Sequence, residues 1–368
     1  MKRKVSKFVM VTLGVILSVT LAENVVSAKT MVYQGESVEV DCQEGLRNQV
    51  IARIDKLSDK EATQIVLGKN VESIFCGNDG REDFYAYHHY TPDNFSSIVK
   101  GFPKLKEICV EEGNIYLTAQ DGVLYSNREK ELLACPLQKG GTLVIPEGVR
   151  CIGKGSVYGN RKITSIKIPS TVDKIYGAAF GGNTSCVKYI VSSKNKKYVA
   201  KDGVLFTKDM KRLVSYPAGK KGSSYTIPKE VKTIDYTAFK GAKYLKRVTF
   251  SSSVKTVLPS AFLECKKLVK VVCNKNLKTI GEGAFYNCPK LKSFSMKEGL
   301  KTIDDNVFGK TKSLKKLVIP CSVSRLSDDG LKNKTIVIYK KGKVYKTWKK
   351  QKAFTPLKKK QKLKFVIK

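Results

Sequence analysis

The sequence predicts a β-rich solenoid of 23-residue coils, and three observations carry that prediction. First, Phe239, Phe262, Phe285 and Phe308 stand 23 residues apart. Four further columns keep the same period: Val231, Val254, Leu277, Leu300 and Val323; Ile234, Val257, Ile280, Ile303 and Leu326; Ala238, Ala261, Ala284 and Val307; Leu245, Leu268, Leu291 and Leu314. Second, Ile145-Pro146, Ile168-Pro169 and Ile227-Pro228 stand upstream where Ile319-Pro320 stands downstream, which extends the array toward the N-terminus. Third, the last apolar residues of the presumed strands run Val110, Ile145, Ile168, Val191, Ile227, Phe250, Cys273, Met296 and Ile319, with steps of 23 except for one of 35 and one of 36. The long steps hold the same insert, Tyr116 to Pro136 around Asp121-Gly122 and Tyr198 to Pro217 around Asp202-Gly203. Asp-Gly between β-prone apolar residues is a hairpin signal, so each insert is predicted to leave the coil as a β-hairpin and return at the next Ile-Pro.

Within a coil, Leu245, Val248 and Phe250 alternate in the manner of a short strand with one face inward. Proline then stops the strand, because it cannot donate to a ladder. The Val-x-x-Ile turn and Ala-Phe step close the coil on its far side. One such unit cannot bury enough apolar surface to stand alone; stacked units cover one another's open faces and fold as an array.

The unit Ile-Pro-x-x-Val-x-x-Ile-x-x-x-Ala-Phe-x-x-x-x-x-Leu-x-x-Val closely resembles the BspA-type (treponemal-type) leucine-rich repeat over about residues 105–338. The Asp-Gly-Val-Leu-Phe insert ending at Tyr216-Pro217 is similar to a segment common in that family. The resemblance implies a right-handed leucine-rich-repeat solenoid on a bacterial surface protein, among adhesins and host-interaction proteins rather than enzymes. Departures from the pattern are Tyr158 in place of the column phenylalanine, Gly155-Ser156-Val157 at the small-residue step, and Cys186 and Tyr189 at the leucine and valine positions.

The flanks read as caps. Residues 29–104 are predicted to form an α/β cap with a degenerate first repeat: a strand at Val38 to Val40, an amphipathic helix through Leu46, Val50, Ile51, Ile54 and Leu57, and then Ile65-Val66-Leu67. Val71 and Ile74 resemble the repeat's turn, Leu105, Ile108 and Val110 its strand, and residues 75–94 an insert between them. Ile336 and Ile338 form a last rung, followed over residues 339–368 by a basic cap with a short helix at Tyr345 to Lys352, holding Trp348, and a strand at Leu363 to Ile367. Residues 1–28 read as a signal peptide: Lys2, Arg3, Lys4 and Lys7 make a basic head, Phe8 to Ala22 an apolar stretch, and Val26-Ser27-Ala28 a cleavage site. The stretch is shorter than the roughly 20 residues a spanning helix needs, so the expectation is a secreted protein with no transmembrane segment after cleavage, held at the cell surface without a covalent link if held there at all.

The chemistry is dominated by charge. The 368 residues include 69 Lys+Arg against 32 Asp+Glu, a formal net charge of +37, while 42% hydrophobic content excludes wholesale disorder. The two histidines, His88 and His89, are adjacent on a segment with Cys76, Asp79, Glu82, Asp83 and Asp93, and adjacent side chains on an extended segment point to opposite faces. No ligand spacing is recognisable there, so no catalytic, metal or cofactor site is expected. Cys265 and Cys288 share a column and read as small apolar core residues, while pairing among Cys42, Cys76, Cys109, Cys135 and Cys151 stays open.

Two sets of cations recur with the repeat. Lys232, Lys255, Lys278 and Lys301 fall in the turn and should stack as a ladder at about 4.8 Å per rung. Lys188, Arg247, Lys270 and Lys316 fall at one outward strand position, with Ser165 and Ser293 completing that column. Stacked like charges repel, and a polyanion relieves the repulsion. These eight residues are the candidate ligand-binding set. Expected partners are host or bacterial surface proteins or glycans and anionic polymers such as teichoic acid or sulfated glycans; export and the lack of a recognised module argue against nucleic acid. The competing reading is a structural or decoy secreted protein whose charge serves solubility only.

Overall fold

Each coil of the repeat region is built from two short parallel strands on different sides, and each strand stacks on its counterpart one repeat away. The computed structural model describes residues 30–33, 51–53, 62–69, 73–75, 102–327, 329–350 and 364–367. The expected leader, the strand at Val38 to Val40 and the histidine-bearing insert after Phe75 lie outside the described residues. The chain forms two compact units, Met1–Glu129 with Leu133–Gln138, and Lys130–Leu132 with Lys139–Lys368.

In the first unit, β1 (Thr30–Tyr33), β3 (Gln64–Leu67) and β5 (Glu107–Val110) pair in parallel in that order. Ile65 and Leu67 alternate inward against Phe102, Leu105 and Ile108. A second parallel pair joins β2 (Ile51–Arg53) to β4 (Ser73–Phe75). The helix expected through Ile51 is therefore corrected to a strand at Ile51–Arg53. A short apolar run satisfies both periods, and here pairing with the Ser73–Phe75 backbone settles it. The first insert is the predicted hairpin, β6 (Leu117–Gln120) antiparallel to β7 (Val123–Ser126). It turns on Asp121 and Gly122 at φ 50 and 71. Gly122 has to be glycine, because a Cβ there would lie 2.8 Å from that of Glu107.

The second unit is a β-solenoid of about 23-residue coils. Its strand face carries three parallel ladders: β9 (Gly141–Val144), β11 (Ile163–Ile168) and β13 (Lys188–Val191); then β17 (Ser224–Thr226), β19 (Arg247–Thr249), β21 (Lys270–Val272) and β23 (Ser293–Ser295); then β25 (Lys316–Val318), β27 (Thr335–Ile338) and β28 (Lys364–Ile367). On the turn side, Glu131 and Leu132 of β8 (Glu131–Ala134) pair with β10 (Cys151–Ile152), which pairs with β12 (Lys174–Ile175). Beyond them lies a longer ladder: β14 (Tyr198–Lys201), β15 (Val204–Thr207), β16 (Arg212–Ser215), β18 (Thr233–Ile234), β20 (Thr256–Val257), β22 (Thr279–Ile280), β24 (Thr302–Ile303) and β26 (Arg325–Leu326). The second insert is the β14–β15 hairpin. Its Gly203 carbonyl accepts the Tyr189 N–H at 2.9 Å, so the hairpin tip occupies the free side of β13 and ends the first strand-face ladder. At the C-terminal end, α1 (Lys343–Lys350) buries Val344 and Trp348.

The interior is a spine of rings. Phe239 and Phe262 stack at 4.5 Å between centroids and Phe262 and Phe285 at 4.8 Å, all fully buried. Tyr216 extends the stack upstream at 4.8 Å from Phe239. The spine spreads at its far end, where Phe285 and Phe308 are 6.3 Å apart. Phe294 stands edge-on to both, at 4.8 and 4.9 Å. It occupies the inward strand position that Val248 and Val271 fill in the preceding coils, and its greater bulk acts as a wedge. On the same rung, β23 and β25 fall in different sheets.

One assignment near the start of the repeats is corrected. Val157, not Tyr158, takes the column position of Phe180, since its N–H donates to the Ala179 carbonyl as that of Phe239 does to Ala261. The Tyr158 ring lies over Gly181 and its hydroxyl accepts from Lys240 Nζ. Each coil also turns through two left-handed residues. One column holds Ala178, Thr237, Ser260, Gly283 and Asn306; the other holds Gly182, Gly241, Glu264, Asn287, Lys310 and Asn333. Glycine and asparagine suit six of these positions, whereas Ala178, Thr237, Ser260, Glu264 and Lys310 disfavour positive φ and have the conformation imposed by stacking of the coils.

Candidate anion-binding faces

The turn ladder is present as stacked backbone. The N–H groups of Lys255, Lys278 and Lys301 donate to the carbonyls of Lys232, Lys255 and Lys278, each at 2.8 Å. All four side chains are exposed, and among the described residues none of the four takes part in an ion pair. Each lysine is followed by a half-buried threonine, so Thr233, Thr256, Thr279 and Thr302 form a parallel row of hydroxyl-bearing side chains. Arg212 and Arg325 continue the row at its two ends. Carboxylates hold both. Arg212 makes two 2.6 Å bonds to the buried Asp235, and Arg325 lies 3.4 Å from Asp304. Lys211 adds a rung that the regular spacing conceals, because it lies at the return of the hairpin; its carbonyl accepts from Lys232 at 2.8 Å. Its ammonium faces Asp209 at 3.2 Å. The Thr207 hydroxyl and the Lys211 N–H pull the Asp209 carboxyl down to about 2.

The strand-face set is not one column. Lys188 lies opposite Ser165 in the first ladder, in one column with the exposed Thr142, and Ser165 is covered there, hydrogen-bonded to the Thr142 hydroxyl at 2.7 Å. Arg247 and Lys270 are neighbours between Ser224 and Ser293. Lys316 lies opposite Thr335 in the third ladder. Two devices make the breaks: the hairpin that caps β13, and the wedge at Phe294.

The structure brings a denser basic face into view at the corner where each coil enters its strand. Lys243, Lys246 and Arg247 come from one coil and Lys266, Lys267 and Lys270 from the next. Lys290 and Lys292 follow, then Lys312, Lys315 and Lys316. The four segments 243–247, 266–270, 289–293 and 312–316 contain these eleven cations and no acidic residue. The first three are aligned by backbone bonds, from Val269 N–H to the Lys246 carbonyl at 2.8 Å and from Lys292 N–H to the Val269 carbonyl at 2.9 Å. Tyr244 is the one aromatic residue in the four segments, half-buried, with the ammonium groups of Lys243 and Lys267 at 5.5 and 5.3 Å from its ring centre. Sequence reading found Arg247, Lys270 and Lys316 here but missed the rest. Two of the missed sets recur in columns of their own, Lys243, Lys266 and Lys312, and Lys246, Lys292 and Lys315, each interrupted in one coil, by Pro289 and by Val269.

The interior offers no reactive thiol among the described cysteines of the core column. Cys265 and Cys288 lie fully buried, each donating at 3.1 Å to a carbonyl, of Phe239 and Phe262 respectively. Burial pushes the Cys265 thiol well up, and it pushes Cys186 up to about 12. All eight described cysteines are free thiols. Among the described residues, no three His, Cys, Asp or Glu side chains group as a metal site would require, and no helix is long and apolar enough to cross a membrane.

A family model described as the BspA type leucine rich repeat region matches residues 136–203 and 218–337 in six copies. Among solved structures, the chain is similar to a leucine-rich repeat protein from Eubacterium ventriosum, at 25% identity and a TM-score of 0.55, covering 79% of this chain and 73% of that one. It is also similar to a leucine rich cell surface protein from Faecalibacterium prausnitzii, at 20% identity and a TM-score of 0.50, covering 83% and 88%. No curated protein is similar enough in sequence to count as a relative.

Proposed function

Because this chain belongs to the BspA-type leucine-rich repeat family, we propose that it is an exported, non-catalytic binding protein that adheres to anionic polymers at a cell or host surface. The observation that carries this reading is the presence of exposed cations stacked coil upon coil, with carboxylate partners only at the margins of the turn ladder. Like charges held about one rung, ~4.8 Å, apart raise a positive potential that a polyanion neutralises. Export is supported by the basic head and apolar stretch at the N-terminus, and by the similarity to a protein described as a cell surface protein. Wall teichoic acid and sulfated host glycans are the polymers with the required chemistry, and a protein ligand on the repeat face is compatible with the same role.

The test is chromatography of the full chain on immobilised heparin and on purified cell wall across a salt gradient. Retention that falls steeply with ionic strength is expected. Salt-insensitive retention, or none at low salt, overturns the polyanion reading and leaves the charge as a solubility device.

A further inference from the structure

We propose that the corner spanning residues 243–316 is a sulfated-glycan site, in which the polysaccharide runs across the coils and one sugar ring stacks on Tyr244. The proposal rests on the polyanion reading above and narrows it to one face and one class of polymer.

Cation density distinguishes the corner from the turn ladder. The turn ladder presents one lysine per coil and ends at two arginines already held by carboxylates. The corner presents two or three cations per coil and no carboxylate in any of its four segments. A polymer bearing a single phosphate per repeat unit suits the first arrangement. The second suits a chain that places several anions on each pair of sugars. Because the cations of successive coils stand over one another, the line of positive potential runs along the stack, across the strands. Backbone bonds from Val269 to Lys246 and from Lys292 to Val269 keep the first three rungs in register, and the Ser313 N–H ties the fourth to the Pro289 carbonyl at 3.2 Å before β23 and β25 part.

Tyr244 supplies the second, independent element. Its ring is partly exposed, and the ammonium groups of Lys243 and Lys267, from adjacent coils, stand 5.5 and 5.3 Å from its centre. A pyranose offers an apolar C–H face that packs on such a ring, while its sulfates reach the two flanking cations. A polyol or inorganic phosphate chain has anions for the lysines but no face for the ring. The aromatic residue therefore confers a preference that charge alone cannot.

The experiment compares binding of a size-defined heparin oligosaccharide and of inorganic polyphosphate of matched charge to three variants of the full chain. The corner variant carries Lys243→Gln, Lys246→Gln, Lys266→Gln and Lys267→Gln; the turn variant carries Lys232→Gln, Lys255→Gln, Lys278→Gln and Lys301→Gln; the third is Tyr244→Ser. All nine positions are solvent-accessible, and each lysine variant removes the same charge. The corner variant is expected to weaken heparin binding about tenfold or more, and the turn variant much less. Tyr244→Ser is expected to weaken heparin binding about three- to tenfold and to leave polyphosphate binding unchanged. Equal losses from the two lysine variants would overturn the corner assignment while leaving polyanion docking intact. A Tyr244→Ser effect on neither ligand, or equally on both, would overturn the sugar assignment. Failure of the unaltered protein to bind either polymer would remove both this proposal and the reading beneath it.

Discussion

Between Phe262 and Phe285 the rings lie 4.8 Å apart and β21 pairs with β23; one coil further on, Phe285 and Phe308 lie 6.3 Å apart and β23 and β25 belong to separate sheets. Both stretches keep the 23-residue register, the buried phenylalanine and the turn-side pairing, β20 with β22 in the first and β22 with β24 in the second. They differ at the inward strand position, where Val271 is followed by Phe294. The column three residues beyond the phenylalanine changes too, from Cys265 and Cys288 to Thr311 and then Lys334, all of them buried. Period alone therefore does not guarantee uniform packing. The spine sets the register, the volume at the strand position sets how closely the strand ladder can close, and the column beyond the phenylalanine, polar upstream at the buried Asn160 and Asn183 and apolar through Ala242, Cys265 and Cys288, turns polar again past the wedge.

The largest effect expected from this contrast lies in the spine. Phe262→Ala removes a ring stacked on both sides and should destabilise the array by about 4–5 kcal/mol, the upper end for a buried phenylalanine. Phe308 faces a spread rung on one side and Leu331 in its own column on the other, so Phe308→Ala should fall at about 3 kcal/mol. Chemical denaturation of the two variants, followed by hydrogen exchange to locate where each array opens, measures the difference. Equal losses would mean that the wedge leaves the packing of its rung untouched.

What the sequence revealed of this structure follows the same division. The phenylalanine and isoleucine columns were legible because an interior position of fixed volume selects the same residue in each coil. Both hairpins were legible because Asp121-Gly122 and Asp202-Gly203 suit the positive φ values they adopt, 50 and 71 and then 50 and 74. The paired left-handed columns were hidden, since Thr237, Glu264 and Lys310 carry no local signal for that conformation and receive it from the stack. Phe294 reads as one more inward apolar residue, and nothing in its identity announces that it parts two strands. Tyr158 drew the assignment because it is the aromatic residue nearest the column, although the 23-residue step back from Phe180 falls on Val157. Of the basic faces, the turn ladder was legible as a strict column, whereas the corner was seen only where Arg247, Lys270 and Lys316 recur. The neighbouring columns Lys243, Lys266, Lys312 and Lys246, Lys292, Lys315 recur as often, and only the fold shows that they adjoin that set on one face.

A smaller effect separates the two regions by pH. Burial, with Lys315 nearby, holds the Lys334 amine down at about 8, below the ordinary lysine value. The folded chain therefore binds fewer protons at this site than the unfolded chain between about pH 8 and about 10.4, and stability from Lys334 rises with pH through that window. Below pH 8 the full penalty of keeping the ammonium buried is present. Lys334→Met should stabilise the protein at pH 7 by on the order of 1 kcal/mol and flatten the rise toward pH 10. The exposed Lys332→Met controls for the loss of one positive charge. Identical thermal shifts for the two variants across pH 7 to 10 would show that burial of Lys334 carries no such penalty.

The smallest expected change in stability is also the most direct probe of the comparison. Phe294→Val restores the residue size found at Val248 and Val271, and the coils should then close until β23 and β25 pair. Loss of ring contacts and gain of a ladder oppose each other, so the net change should stay within about 1 kcal/mol. The local consequence is sharper: the amides of Lys316 and Val318, on the strand that lacks a β23 partner, should slow in hydrogen exchange by about tenfold or more. The converse substitution, Val271→Phe, should open β21 from β23 and speed exchange at Ser293 and Ser295. If Phe294→Val leaves Lys316 and Val318 exchanging as before, the side chain at that position is not what separates the strands, and the parting of the coils must originate in the turn at Pro289, where the Ser313 N–H donates to the Pro289 carbonyl at 3.2 Å.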